Sequence, residues 1–184
     1  MALKATALGK NGPSVPAMGI GLMSMGHAYG HAGTDEERLA FLDDLYAIGE
    51  TFWDDADVYG DSEEVVGKWF TANPEKRKDV FLATKFGFVN PDLSQPLVIR
   101  SDPEYIDFAL KSSLEKLKTD YVDLYYCHRV DGKTPIEITV RKLAELQREG
   151  KIRHIGLSEV TLNDLKRAHA VHPIAAVETE YSPW

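Results

Sequence analysis

An α/β fold of the parallel-barrel type is predicted by three observations on this 184-residue sequence. Short apolar runs alternate with segments of helical spacing. Each helical segment opens on a start signal. Polar or titratable side chains recur at the C-terminal ends of successive apolar runs.

The elements follow in order. Residues 1–17 read as a hairpin: Ala5–Gly9 and Val15–Met18 flank Lys10-Asn11-Gly12-Pro13, and Asn-Gly between short apolar pieces favours a tight turn. Ile20–Met23 is the first strand run. Thr34 with Glu37 three residues on forms a capping box ahead of Leu39, Leu42 and Leu45. Thr51–Asp54 is the second strand, and Asp61 with Glu64 caps the helix bearing Val65, Val66 and Trp69. After the third strand, Val80–Lys85, Asp102-Pro103 sets a cap before a proline at the first helical position, ahead of Ile106, Leu110 and Leu114. The fourth strand, Tyr121–Cys127, precedes Thr134-Pro135 with Glu137, opening a helix through Ile138, Leu143 and Leu146. Ile152–Ser158 is the fifth strand, Thr161 with Asp164 starts the last helix, and Ile174–Thr179 is the sixth strand.

No linker, low-complexity tract or composition shift divides the chain, so residues 1–184 are expected to form a single domain. A formal charge of -8 with no basic run argues against a nucleic-acid partner. Cys127 is the only cysteine, which precludes an internal disulfide and suits a reducing compartment. The N-terminus lacks the apolar core of a secretory signal, and no apolar stretch reaches the roughly 20 residues that cross a bilayer. A cytoplasmic protein with no membrane partner is the expectation.

Strand–helix alternation fits an open doubly wound sheet as well as a barrel. The polar residues separate the two. Asp54 closes the second strand, Lys85 the third, His128 the fourth, Ser158 and Glu159 the fifth, and Glu178 to Glu180 the sixth. A barrel gathers all of these on one rim, whereas an open sheet spreads them along an edge. Singly, each has a plainer role. An Asp after a strand is most often a cap or turn residue, as Asp55 or Asp57 equally is; a Lys there is most often solvated; a lone His is more often a structural hydrogen bonder. Their recurrence at the same end of consecutive strands favours the rim.

On these residues the sequence resembles the aldo-keto reductase family along essentially its whole length. The motifs are Asp54-Asp55-Ala56-Asp57-Val58-Tyr59-Gly60, Ala83-Thr84-Lys85, Tyr125-Tyr126-Cys127-His128-Arg129, Ile155-Gly156-Leu157-Ser158 and Glu178-Thr179-Glu180-Tyr181-Ser182. Their form is similar to the microbial and fungal branch that includes pyridoxal reductases. The resemblance implies a (β/α)8 TIM barrel whose bottom is plugged by the N-terminal hairpin, with about six of its eight strands in this chain. It implies NADPH-dependent reduction of aldehydes and ketones, with Asp54, Tyr59, Lys85 and His128 in the catalytic positions. In that scheme Tyr59 gives the proton, Lys85 lowers its pKa, Asp54 holds Lys85, and His128 aims the carbonyl oxygen.

By the same resemblance Gly21, Leu22 and Met23 line the floor near the nicotinamide ribose, Asp54 lies beside them, and Ser158, Glu159 and Glu178 face the carboxamide. Glu178 stands where the family usually has Gln, and a carboxylate accepts from the amide nitrogen but cannot donate to its oxygen. NADH stays open beside NADPH, because no residue here recognises the adenosine phosphate. No metal is expected: His27 and His31 have ligand spacing without a third ligand. Gly19-Ile20-Gly21 lacks the third glycine of a dinucleotide fingerprint. Cys127 and His128 face opposite ways on a strand and form no nucleophile pair.

The chain stops at Trp184, just after the sixth strand. Three readings follow: a piece of a longer reductase, preferred because all four catalytic positions are present; a barrel completed with another chain as an oligomer; or a short relative that folds without catalysing. The functional alternatives are a non-catalytic cofactor-binding or regulatory relative, and a hydrolase or isomerase using Asp54 and His128 as acid and base. The substrate, beyond a small carbonyl compound, is not legible.

Overall fold

The computed structural model describes residues 4–9, 12–26, 30–90 and 96–182. An antiparallel hairpin comes first, β1 (Ala5–Ala7) paired with β2 (Ser14–Pro16), with Thr6 opposite Val15. Two residues of the expected turn, Lys10 and Asn11, lie outside the described residues. Then comes one parallel sheet of six strands: β3 (Ile20–Gly21), β4 (Phe52–Asp54), β5 (Phe81–Phe86), β6 (Val122–Cys127), β7 (Ile152–Ser158) and β8 (Ala176–Glu178). Its spatial order is the chain order, β3 to β8, with no reversal. A doubly wound sheet reverses at a switch point; an unreversed order is that of a barrel.

The crossovers are α1 (Asp35–Ile48), α2 (Ser62–Ala72), α3 (Pro103–Leu117), α4 (Ile136–Arg148) and α5 (Leu162–Val171). Three start signals act as expected. Thr34 and Glu37 form a reciprocal capping box, while Asp102 and Thr161 accept from the amides of Tyr105 and Asp164. Two do not. Asp61 makes no cap; its carboxylate receives both Arg38 Nη atoms, at 2.7 and 3.0 Å, because a buried guanidinium offers charge-assisted bonds that one amide cannot match. Thr134 gives its hydroxyl to Asp131, leaving Pro135 at the start of α4 without a side-chain cap.

Both faces of the sheet are buried, with period two. Leu82 and Phe86 of β5 and Tyr125 and Cys127 of β6 join the core shared with the helices, alongside Trp53, Val66, Leu110 and Leu143. Ala83, Leu124 and Tyr126 point the other way into a small inner cluster, against which Leu8 from the hairpin packs with Phe52 and Phe81. Gly156 lets the inner face close, since a Cβ there would lie 2.3 Å from the Tyr126 ring. Lys85 follows Ala83 on that inner face, which aims it into the concave side of the sheet.

The first strand is shorter than expected. Leu22 donates to Asp54 O, but its carbonyl accepts from Met25 N at 2.9 Å and from Ser62 Oγ at 3.3 Å, so Met23–Gly26 coils into a 3-10 turn. A second 3-10 segment, Pro74–Asp79, carries Arg77 to Asp123 at 3.0 Å beneath the sheet. No helix among the described residues is long and apolar enough to cross a membrane.

Candidate active site

The strands deliver their terminal side chains to one concave rim. Lys85, near the end of β5, is fully buried; its Nζ donates to Asp54 Oδ2 at 2.5 Å and to the Asp55 carbonyl at 3.0 Å. Glu178 Oε2 lies 3.5 Å from the same nitrogen. Strands β5 and β8 are three places apart, about 14 Å in a flat sheet. Their side chains meet because the sheet curls, as a barrel requires.

Tyr59 enters from the loop after β4. Its hydroxyl is 3.5 Å from Lys85 Nζ, and the ammonium lies 5.1 Å from its ring. Two glycines set this loop. Gly60 has φ +58, and a Cβ on Gly26 would fall 1.6 Å from Tyr59 O, so the 3-10 turn and the tyrosine loop approach as only glycine permits. Burial raises the Tyr59 pKa above its ordinary value, and the nearby Lys85 offsets only part of that. Lys85 does act to lower the value as expected, but desolvation of the half-buried phenol outweighs a cation 3.5 Å away and the net shift is upward. Tyr59 therefore keeps its proton at neutral pH.

Lys85 is held above its usual pKa, burial being opposed by the Asp54, Glu178 and Tyr59 charges, and so remains an ammonium. Asp54 is itself raised by burial, with Lys85 working against the rise. Its Oδ1 is buried without a hydrogen-bond partner.

His128 follows β6 and is 7% exposed. Its ring sits edge-on to Phe88 at 4.8 Å and to Tyr59 at 6.0 Å. Burial pushes its pKa down to about 3, and the Lys85 and Arg129 cations act in the same direction. The imidazole is neutral. Its Nδ1 is buried with no partner, and a bare lone pair tolerates that better than an N–H, so the hydrogen belongs on Nε2.

Tyr59, Phe88, His128 and Glu178 line a cavity of about 690 Å³ with Met23, Val58, Ser158 and Glu159, while Lys85, fully buried, lies beside the Tyr59 hydroxyl and does not line it. The predicted floor residues divide. Met23 lines the cavity, and a Cβ added to Gly21 would meet nothing within 4 Å, which leaves room for close approach. Leu22 does not line it; its side chain is fully buried in the helix-facing core, because the chain alternates there before turning. Glu159 is present with φ +49, yet its carboxylate accepts from Glu180 N at 2.6 Å and Thr179 Oγ1 at 3.4 Å, fastening the segment after β8. Its side chain is occupied within the protein.

No local signal marked Arg129 as more than part of a motif. Its Nη1 donates to its neighbour's carbonyl, His128 O, at 2.6 Å and to Ser158 Oγ at 3.1 Å, so the Ser158 hydroxyl accepts there and keeps its own hydrogen for the cavity. Asp55 is a buried turn residue, accepting from Ala56 N and Ser62 Oγ, and burial with the Glu63 charge holds its carboxyl well above the usual range. Cys127 faces away from the cavity in the helix-facing core, its thiol raised by burial to about 12. Among the described residues no three His, Cys, Asp or Glu side chains could hold a metal; His27 lies outside them.

The arrangement places a protonated phenol and a neutral imidazole on the wall of one cavity, with a buried ammonium beside the phenol. Comparisons with known proteins agree with the fold. A profile described as the Aldo/keto reductase family matches residues 17–184. Aldo-keto reductase str7 of Strobilurus tenacellus is 51% identical over 168 residues, covering 91% of this chain and 48% of that protein. Aldo-keto reductase yakc [NADP(+)] of Schizosaccharomyces pombe is 45% identical over 174 residues, covering 93% of this chain and 50% of its own length. The chain thus spans about half the length of these relatives. An aldo-keto reductase of Bacillus halodurans, solved in its holo form, superposes with a TM-score of 0.84 at 31% identity over 98% of this chain and 58% of that one. A thermostable aldo-keto reductase, Tm1743, solved with the inhibitor epalrestat, gives 0.83 at 29% identity over 97% and 63%. With five strand-end motifs converging on one rim and this match along residues 17–184, the chain belongs to the aldo/keto reductase family.

Proposed function

We propose that the protein reduces small aldehydes or ketones to alcohols with NADPH, Tyr59 supplying the proton. The observation that carries this is the Lys85 ammonium, buried between the Asp54 carboxylate at 2.5 Å and the Tyr59 hydroxyl at 3.5 Å. A family relative named for NADP(+) supports the cofactor assignment.

The residues present fit a nicotinamide cofactor. Asp54 Oδ1 is a buried acceptor in need of a donor such as a ribose hydroxyl. Ser158 offers its O–H, Glu178 an acceptor for an amide N–H2, and Gly21 an open surface against which a ring can lie. Met23 and Glu159 border the same space. When bound, the cofactor supplies a hydride to the carbonyl carbon.

The chain's own residues do the rest. His128 Nε2–H donates to the carbonyl oxygen and fixes its direction, in neutral form, so it does not compete for the proton. Negative charge that grows on that oxygen is met by Tyr59, which gives its proton. The Lys85 ammonium stabilises the phenolate left behind, and Asp54 keeps Lys85 charged and aimed. Phe88 and Val58 give the cavity an apolar stretch of wall beside Tyr59 and His128.

The test is aldehyde-dependent loss of NADPH absorbance by the full-length protein, with NADH run in parallel. Turnover with NADPH across a panel of aromatic and aliphatic aldehydes is expected. No turnover with any member and either cofactor overturns the reading.

A further inference from the structure

An ammonium has three hydrogens, and Lys85 Nζ has four acceptors around it. Asp54 Oδ2 at 2.5 Å and the Asp55 carbonyl at 3.0 Å take two of them. The third has two claimants at the same distance: Tyr59 OH at 3.5 Å and Glu178 Oε2 at 3.5 Å. Neither is close enough to exclude the other. Glu178 reaches across from β8, held there by the register that sets it beside Ser158 and by Glu159 N donating to its carbonyl at 2.9 Å. Its side chain is about a third exposed, so it can be altered without opening the core.

We propose that Glu178 is a positioning residue for Lys85, its carboxylate competing with the Tyr59 hydroxyl for the third ammonium hydrogen. With Glu178 in place, the lysine is shared between two carboxylates and is a weaker partner for Tyr59. The phenol keeps its proton until a carbonyl oxygen arrives to take it. A neutral side chain at 178 would free that hydrogen for Tyr59 and favour the phenolate. The other groups facing this pair are fixed by the fold: Asp54 from β4, the buried Asp55 and Asp57 carboxyls from the loop after it, Tyr126 from β6, and His128 and Arg129 from its end. Of these only Asp54 and the Asp55 carbonyl hydrogen-bond Lys85.

The inference rests on the reading of Tyr59 as proton donor, but its test needs no turnover. In cofactor-free full-length protein, phenolate absorbance is followed after rapid pH jumps. The Tyr59 midpoint comes from subtracting Tyr59→Phe from its parent, in the native background and in Glu178→Gln. The expected result is a Tyr59 midpoint about one pH unit lower in Glu178→Gln, a tenfold shift toward phenolate. Glu178→Asp, whose carboxylate is drawn back by one methylene, is expected to fall between the two and serves if Glu178→Gln does not fold. Glu180→Gln removes the same charge from an exposed neighbour and is expected to leave the midpoint in place. An unchanged or higher midpoint in Glu178→Gln, or an equal shift in Glu180→Gln, overturns the proposal. A shift as expected in a protein that turns over no carbonyl leaves this inference standing and removes the functional reading instead.

Discussion

Acidification should test the environment of His128 before any substrate is known. The imidazole sits against the Phe88 and Tyr59 rings with Lys85 and Arg129 nearby, and its pKa falls from 6.5 to about 3. Because the folded value is depressed, both states are neutral above pH 6.5 and the group contributes nothing to the pH dependence there. Below that the unfolded chain binds a proton which the folded chain refuses, so stability falls as pH falls, down to about pH 3. Each unit is worth about 1.4 kcal/mol, so about 2 kcal/mol should be lost at pH 5 through this residue. The assay is equilibrium denaturation of the full-length protein and of His128→Asn at pH 7 and pH 5. Carboxyl titrations common to both cancel in the comparison. Wild type should lose about 2 kcal/mol more than the variant. Equal losses, within about 0.5 kcal/mol, or an NMR titration of His128 near its ordinary value, would refute the reasoning.

Three further outcomes are expected. Asp57 is held up to about 8 by burial and by the Glu63 charge, and its Oδ1 has no partner, so stability should be lost as pH rises from about 4 toward 8. Asp57→Asn should therefore stabilise by about 1–3 kcal/mol near pH 7.5 and by little near pH 4.5 in thermal or denaturant unfolding; equal effects at both would contradict it. Gly26→Ala forces the 3-10 turn off Tyr59 O and should cost at least about tenfold in kcat/KM with cofactor affinity retained; unchanged kinetics would remove the loop from the account. Asp123→Ala strips a nearly buried carboxylate from Arg77, Arg153 and the Leu82 amide and should lose about 3–5 kcal/mol by denaturation, against less than about 1 if the ion pair is incidental.

What the sequence discloses is what depends on near neighbours. The Thr34 box, the Asp102-Pro103 start and the Thr161 cap are complete within four residues, and all three form. Asp54, Lys85 and His128 can be placed together because each stands at a strand end, and parallel strands end on one side; Tyr59 lies in a loop and is reached only through the family resemblance. Where distant groups compete, the local signal fails. Arg38 draws Asp61 from its helix end, and Ser62 and Met25 turn the chain at Leu22 so that its side chain enters the core. Glu159 lines the cavity, but its carboxylate is also taken by the chain after β8, a contact no local pattern announces. The Lys85–Glu178 contact joins strands three places apart and exists only once the sheet has curled. The sign of the Tyr59 shift was likewise unreadable, since it depends on how deeply the loop buries the phenol.

The most direct measurement is single-turnover carbonyl reduction by the full-length protein beside Tyr59→Phe, with cofactor affinity measured on both. The substitution removes one oxygen, the atom 3.5 Å from Lys85. A fall of about 10²–10⁴ in the rate of reduction, with cofactor affinity unchanged within about twofold, is predicted for a general acid. A variant that reduces carbonyls within about tenfold of wild type would contradict the assignment of the proton to Tyr59.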